Sequence, residues 1–227
     1  MSESVTTRVG SPFRRNWVWS TIQILLRPFF FFWIRSRARG FEHLPVDGGA
    51  LFLVNHQSFL DPLLVGACLR RPVSYLAREN LFRVPFVGWV LRNTYVVPMR
   101  RSAASTESLR EAIARMEAGF YVGIFPEGTR RSDGQLGPLK PGLLALVRRV
   151  GVPVIPVGIA GAQHVMPRGA ILPRPKSVRI VFGPPLPAEE LAQLIAPGRE
   201  QELLQLASEK MGACMAEAES WRRGCEV

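Results

Sequence analysis

Residues 49–61 read Gly49-Ala50-Leu51-Phe52-Leu53-Val54-Asn55-His56-Gln57-Ser58-Phe59-Leu60-Asp61. The first half is an unbroken apolar run opened by glycine, which at this length reads as a buried strand. The second half is polar and runs into Pro62-Leu63-Leu64-Val65-Gly66-Ala67-Cys68-Leu69, a helix with proline in its first turn. A strand that turns into a helix places its turn at the sheet edge where α/β proteins build their sites. On one regular helix, residues five apart are about 140° out of phase and share no face. In a strand–turn–helix, His56 and Asp61 can meet. A carboxylate on one ring nitrogen fixes the tautomer and leaves the other nitrogen to take a proton. By itself, Asp before Pro is also an ordinary helix start.

A second stretch has the same form. The apolar run Phe120-Tyr121-Val122-Gly123-Ile124 leads into Phe125-Pro126-Glu127-Gly128-Thr129-Arg130. Two such strand ends can face each other across one sheet.

Asn-His-x4-Asp followed by Phe-Pro-Glu-Gly-Thr-Arg resembles the signature of the glycerolipid acyltransferases, typified by the 1-acyl-sn-glycerol-3-phosphate (lysophosphatidic acid) acyltransferases. The likeness covers roughly residues 40 to 185. Two weaker blocks of the family also have counterparts. One is the strand Tyr95-Val96-Val97-Pro98-Met99 ending at Arg100, and the other is the Val-Pro-rich run Val152 to Val157. Thr94 stands where a glycine is common and Met99 where an aspartate is common. Either Arg100 or Arg101 can therefore fill the family's arginine role.

The resemblance implies direct transfer of an acyl group from acyl-CoA or acyl-carrier protein to the sn-2 hydroxyl of 1-acyl-sn-glycerol-3-phosphate, giving phosphatidic acid. No acyl-enzyme, metal or other cofactor is implied. His56 is the expected general base, oriented by Asp61. Removing the hydroxyl proton with a positioned base contributes about 10²–10⁴-fold. The second motif is the expected acceptor site. Arg130 can grip phosphate with two parallel bonds, Gly128 allows close backbone approach, Glu127 either binds the glycerol hydroxyl region or holds Arg130, and Thr129 completes the motif. Arg100 or Arg101 can supply a second phosphate contact, with Lys140 as a further candidate. No Gly-x-Ser-x-Gly elbow is present, and Ser58 reads as a helix-start residue rather than a nucleophile.

Composition sets outer bounds. The 227 residues suffice for one domain with a sizeable core. The net charge is +11, and of 29 basic side chains all but Lys140, Lys176 and Lys210 are arginine. Such a balance implies an anionic partner: a phosphorylated lipid, a membrane surface, an acidic carrier or nucleic acid. The aromatics cluster in one apolar segment and no nucleic-acid motif is recognised, so nucleic acid is not expected. Three cysteines without metal or framework spacing fit a reducing compartment. His43 and His164 lack a carboxylate at useful spacing and read as structural or exposed.

Residues 17–34 are apolar and bracketed by tryptophans, nearly the twenty needed to span a bilayer. Arg27 and Pro28 argue against a straight span. We read two short helices breaking at Arg27-Pro28 and lying in one leaflet, the alternative being a helix packed on the protein's own core. Seven arginines against the single acid Glu3 in residues 1–40 strengthen attraction to an anionic surface. No cleaved signal is expected, because Arg27 interrupts the apolar run. The expected location is the cytoplasmic face of the cell membrane, peripheral or monotopic.

The rest of the chain alternates. Strands are expected near 72–77, 95–99, 120–124, 153–158 and 178–182. Helices are expected over 79–93 with a break at Pro85, over 105–118, over 143–150, and over 187–222 divided at Pro197-Gly198. Residues 163–178 read as loop. The fold class is α/β: a mixed, mostly parallel central sheet flanked by helices, with an N-terminal membrane-associating helical segment. The expected division is 1–39 for that segment and 40–227 for the acyltransferase domain.

Overall fold

The computed structural model describes residues 12, 16–99, 106–167 and 169–224. The chain opens with α1 (Trp17–Pro28), a π-helical turn (Phe29–Trp33), β1 (Arg37–Arg39) and a 3-10 turn (Phe41–His43). It continues through β2 (Ala50–Val54), α2 (Asp61–Cys68), β3 (Val73–Arg78), a 3-10 turn (Glu79–Arg83), α3 (Pro85–Asn93) and β4 (Val97–Met99). Then come α4 (Thr106–Glu117), β5 (Tyr121–Ile124), α5 (Gly142–Val147), β6 (Val154–Ala160) and α6 (Ala162–Val165). It ends with β7 (Arg179–Phe182), α7 (Ala188–Leu194) and α8 (Glu200–Arg223).

Among the described residues, seven strands form one sheet in the order β1-β7-β6-β2-β5-β3-β4. All neighbours are parallel except β6 and β7, so the sheet is mixed and mostly parallel, as expected. β2 is central, with Leu51 paired to Val122 on one side and Val154 on the other. Its run is apolar without alternation because both faces are covered. Ala50, Phe52 and Val54 enter the core beneath α1 and α2, whereas Leu51 and Leu53 enter the core beneath α4, α5 and α8.

The register brings the two motifs together. Leu53 pairs with Ile124, so residues 55–61 and 125–130 leave the same edge of the sheet side by side. Asn55 fastens this edge to β6, its Nδ2 donating to Ile159 O at 3.0 Å and its Oδ1 accepting the Ile159 N–H at 2.6 Å.

The N-terminal segment departs from the expected pair of helices. The helix runs through Pro28 and widens into the π turn, where the Ile34 N–H reaches back to Phe29 O. The π turn begins directly after the proline. Arg27 is not a break either. It donates to Ala67 O and Leu69 O at the C-terminal end of α2, where a cation is favoured. Gln23 donates to Gly66 O and Leu69 O from the same side. One face of α1 therefore packs on the core, burying Val18, Trp19 and Gln23, while Trp17, Ile24 and Leu25 stay exposed. No helix among the described residues is long and apolar enough to cross a membrane.

Residues 37–39, expected to belong to the N-terminal segment, form an edge strand beside β7. The boundary expected after residue 39 thus falls at a strand of the sheet. A three-residue strand holds too little pattern to register in the sequence. The stretch 163–178, read as loop, begins within the short α6. Arg100 and Arg101 lie outside the described residues.

Candidate active site

The turn after β2 is built around one carboxylate. Asp61 is fully buried, and its Oδ2 meets the His56 Nδ1 at 2.8 Å, the Gln57 N–H at 2.7 Å and the Ser58 N–H at 2.8 Å. The side chain folds back over the turn instead of capping its own helix. Two backbone donors on one oxygen favour the ionised form, and an ionised carboxylate only accepts, so Nδ1 carries the hydrogen. Nε2 is then the free base nitrogen. The His56 side chain keeps 19% exposure, enough to meet a substrate. Burial nevertheless raises the Asp61 pKa, against the opposing effects of the His56 bond and charge and of the two backbone N–H groups.

The second motif braces the first. Glu127, 4% exposed, accepts the His56 N–H on Oε1 at 2.8 Å and the Gly137 N–H on Oε2 at 2.8 Å. Burial raises its pKa as well, with those two bonds pulling the other way. Returning the link, the Arg131 N–H donates to His56 O at 2.7 Å. Phe125 lies against the imidazole, with ring centroids 4.2 Å apart, and Tyr75 stacks on Phe125 at 5.7 Å. Burial, with Asp61 and Cys68 nearby, pushes the Tyr75 hydroxyl pKa well up.

Gly128 has φ of +68°, which glycine adopts without strain. A Cβ there would lie 2.6 Å from Lys140 Nζ, so the lysine side chain lies over the motif. The Lys140 N–H also bonds Pro126 O at 2.9 Å. Thr129 and Arg130 are exposed at the end of the turn. The structure therefore gathers His56, Asp61, Glu127, Gly128, Thr129, Arg130 and Lys140 at one sheet edge. His43 and His164 stay outside it. His43 bonds Phe182 O at 2.8 Å, and His164 is exposed.

Sequence reasoning did not assign Phe125, Asn55 or Gly137 to the site. The first two stood inside the quoted motifs and could have been found there. Gly137 carries no local signal, since only folding brings its N–H to Glu127.

An acyltransferase family profile matches residues 35–160 of the chain. The chain belongs to the acyltransferase family. Among relatives of known name, a chloroplastic 1-acyl-sn-glycerol-3-phosphate acyltransferase of Brassica napus is 33% identical over 67% of this chain and 43% of its own length. A 1-acyl-sn-glycerol-3-phosphate acyltransferase of Pseudomonas aeruginosa is 31% identical over 69% and 61% respectively. The crystal structure of PlsC, the 1-acyl-sn-glycerophosphate acyltransferase of Thermotoga maritima, superposes with a TM-score of 0.73 at 28% identity. That match covers 89% of this chain and 80% of PlsC. The chain spans about half the length of the plant relatives it matches. Family membership agrees with the fold and with the resemblance read from the two motifs.

Proposed function

We propose that the protein moves a fatty acyl group from acyl-CoA or acyl-carrier protein to the sn-2 hydroxyl of 1-acyl-sn-glycerol-3-phosphate. The single observation that carries this reading is the His56–Asp61 pair, held at the carboxyl edge of the sheet and braced by the second motif. His56 Nε2 takes the hydroxyl proton as the oxygen attacks the thioester carbonyl. Asp61 holds the ring and stabilises the imidazolium that forms. Collapse of the tetrahedral intermediate expels the thiolate, which receives the proton back from His56. The Gln57 and Ser58 N–H groups are already bonded to Asp61, so other donors face the oxyanion.

Arg130 and Lys140 are the acceptor's phosphate contacts, with Gly128 and Thr129 letting the headgroup close on the backbone. Arg100 or Arg101 adds a further contact. Glu127 meets the glycerol region through lone pairs that its two backbone bonds leave open, since a carboxylate offers about four. The protein works at the cytoplasmic face of the membrane, with the segment before β1 as its anchor.

The test is acyl transfer from labelled acyl-CoA and acyl-carrier protein to a panel of lysolipids, beside His56→Ala. Transfer to lysophosphatidic acid that the variant loses is the expected result. Transfer only to another lysolipid would keep the mechanism and change the acceptor. Activity surviving in His56→Ala would sink the mechanism.

A further inference from the structure

The exposed large apolar side chains are not scattered. β2, β3, β5 and β6 are parallel and end at the site edge. Phe59, half exposed, follows β2 there. Phe86, 76% exposed, opens α3, which the chain enters from the end of β3. Ile171 and Leu172, 89% and 77% exposed, lie in the connection leaving β6. β1 runs parallel to β7 and hence against β6, so the π turn with Phe31, Phe32 and Trp33 also ends at this edge.

Direct contacts join these pieces. Trp17 at the start of α1 packs on Trp89 of α3 with ring centroids 6.1 Å apart. At the other end, the Trp33 Nε1–H donates to Pro173 O at 3.3 Å. Between them runs the outer face of α1, with Ile24 and Leu25 exposed. The helical span from residue 17 to 33 is roughly 25 Å long.

Charge and cavity specify the occupant. The three segments that supply this surface, residues 16–41, 80–93 and 165–176, contain basic residues and not one aspartate or glutamate. Arg35, Arg37, Arg83 and Arg174 are exposed within them, and the Arg37 guanidinium lies 3.8 Å over the Phe31 ring. A cavity of about 500 Å³ opens beside the π turn, walled by Phe30, Phe31, Phe32, Leu64 and Cys68. An exposed apolar surface, supplying segments whose only charges are cationic, and an apolar groove match a lipid leaflet better than a folded protein.

We infer that α3 at Phe86 and Trp89 and the turn at Ile171-Leu172 are second and third membrane anchors, acting with α1 and the π turn to dock the site edge onto an anionic lipid surface. The inference rests on the lipid-transfer reading only for its choice of a membrane. Three anchors around the site fix its orientation as one helix cannot, presenting His56 to the headgroup region from which a lipid acceptor comes.

The experiment is flotation of the full chain with vesicles of phosphatidylcholine and phosphatidylglycerol, about two to one. The variant is Phe86→Ser with Ile171→Ser and Leu172→Ser, chosen because these side chains are largely solvent-exposed and the fold does not depend on them. Val46→Ser is the control, since Val46 is 83% exposed but precedes β2 at the opposite edge. Partition of the triple variant should fall about tenfold or more, with Val46→Ser unchanged and with transfer to a short-chain, water-soluble acceptor retained. Unchanged partition of the triple variant would overturn the inference, leaving α1 as sole anchor. Wild-type chain that ignores vesicles yet binds acyl-carrier protein through these residues would overturn it in favour of a protein partner. Loss of vesicle binding in the triple variant without measurable transfer by any chain would count against the site reading and leave the anchors standing.

Discussion

Replacing Glu127 with glutamine separates a brace from a substrate contact. The carboxylate is 4% exposed and accepts two backbone N–H groups, one from each side of the motif junction. Glutamine keeps one acceptor oxygen, so either His56 N–H or Gly137 N–H ends facing an amide NH2. Losing one bond to a charged group costs about 1.5–3 kcal/mol. Relief of the desolvation that raises the Glu127 pKa offsets part of that, which leaves a net loss of about 1–2 kcal/mol. For a domain of this size the midpoint of thermal unfolding should fall by roughly 2–8 °C. The His56 backbone is one of the two ends released, so kcat should fall about tenfold to a hundredfold as the dyad loosens. The assays are thermal unfolding by circular dichroism and steady-state transfer with lysophosphatidic acid. A variant that melts with the wild type and changes only the KM for the acceptor would refute the bracing role and make Glu127 purely a substrate contact.

Three other outcomes follow from the same geometry. Asp61→Asn should cut turnover by about 10²–10⁴-fold, and it should also change how stability depends on pH. Because the folded pKa of Asp61 is raised, its contribution is greatest below the ordinary carboxylate value and is lost as pH rises through the raised value. Urea midpoints of the wild type should therefore lose ground to those of Asp61→Asn as pH rises above the ordinary carboxylate value, and a constant difference would contradict the burial cost. Gly123→Ala places a Cβ 2.4 Å from Tyr75 Cε1, pressing the stack that ends at the imidazole. We expect about 1–3 kcal/mol of destabilisation by urea unfolding, with kcat lowered more than KM. Burial pushes the thiol of Cys68 up to about 12 and that of Cys214 to about 11, so at pH 8 about one in a thousand or fewer is thiolate. Iodoacetamide at that pH should leave both unlabelled in the folded chain, as peptide mass spectrometry would show, and label both in urea.

The strand–turn–helix around His56 and Asp61 is legible in the residues, because an apolar run, a polar turn and an N-terminal proline each act within a few residues. So are the second motif, its order after the first, and the alternation of elements that makes the sheet mostly parallel. The rest depends on how the chain packs. The chain does not say that β2 lies directly beside β5, although that adjacency is what carries Glu127 to the His56 N–H. Gly137 enters the site through a single backbone bond that leaves no mark on residue type. The passage of α1 through Pro28 was illegible because the compensation for Arg27 lies forty residues away, in the carbonyls at the end of α2. Local propensity is written in neighbouring residues, whereas which strands pair and which donors converge is set by burying two faces of one sheet at once.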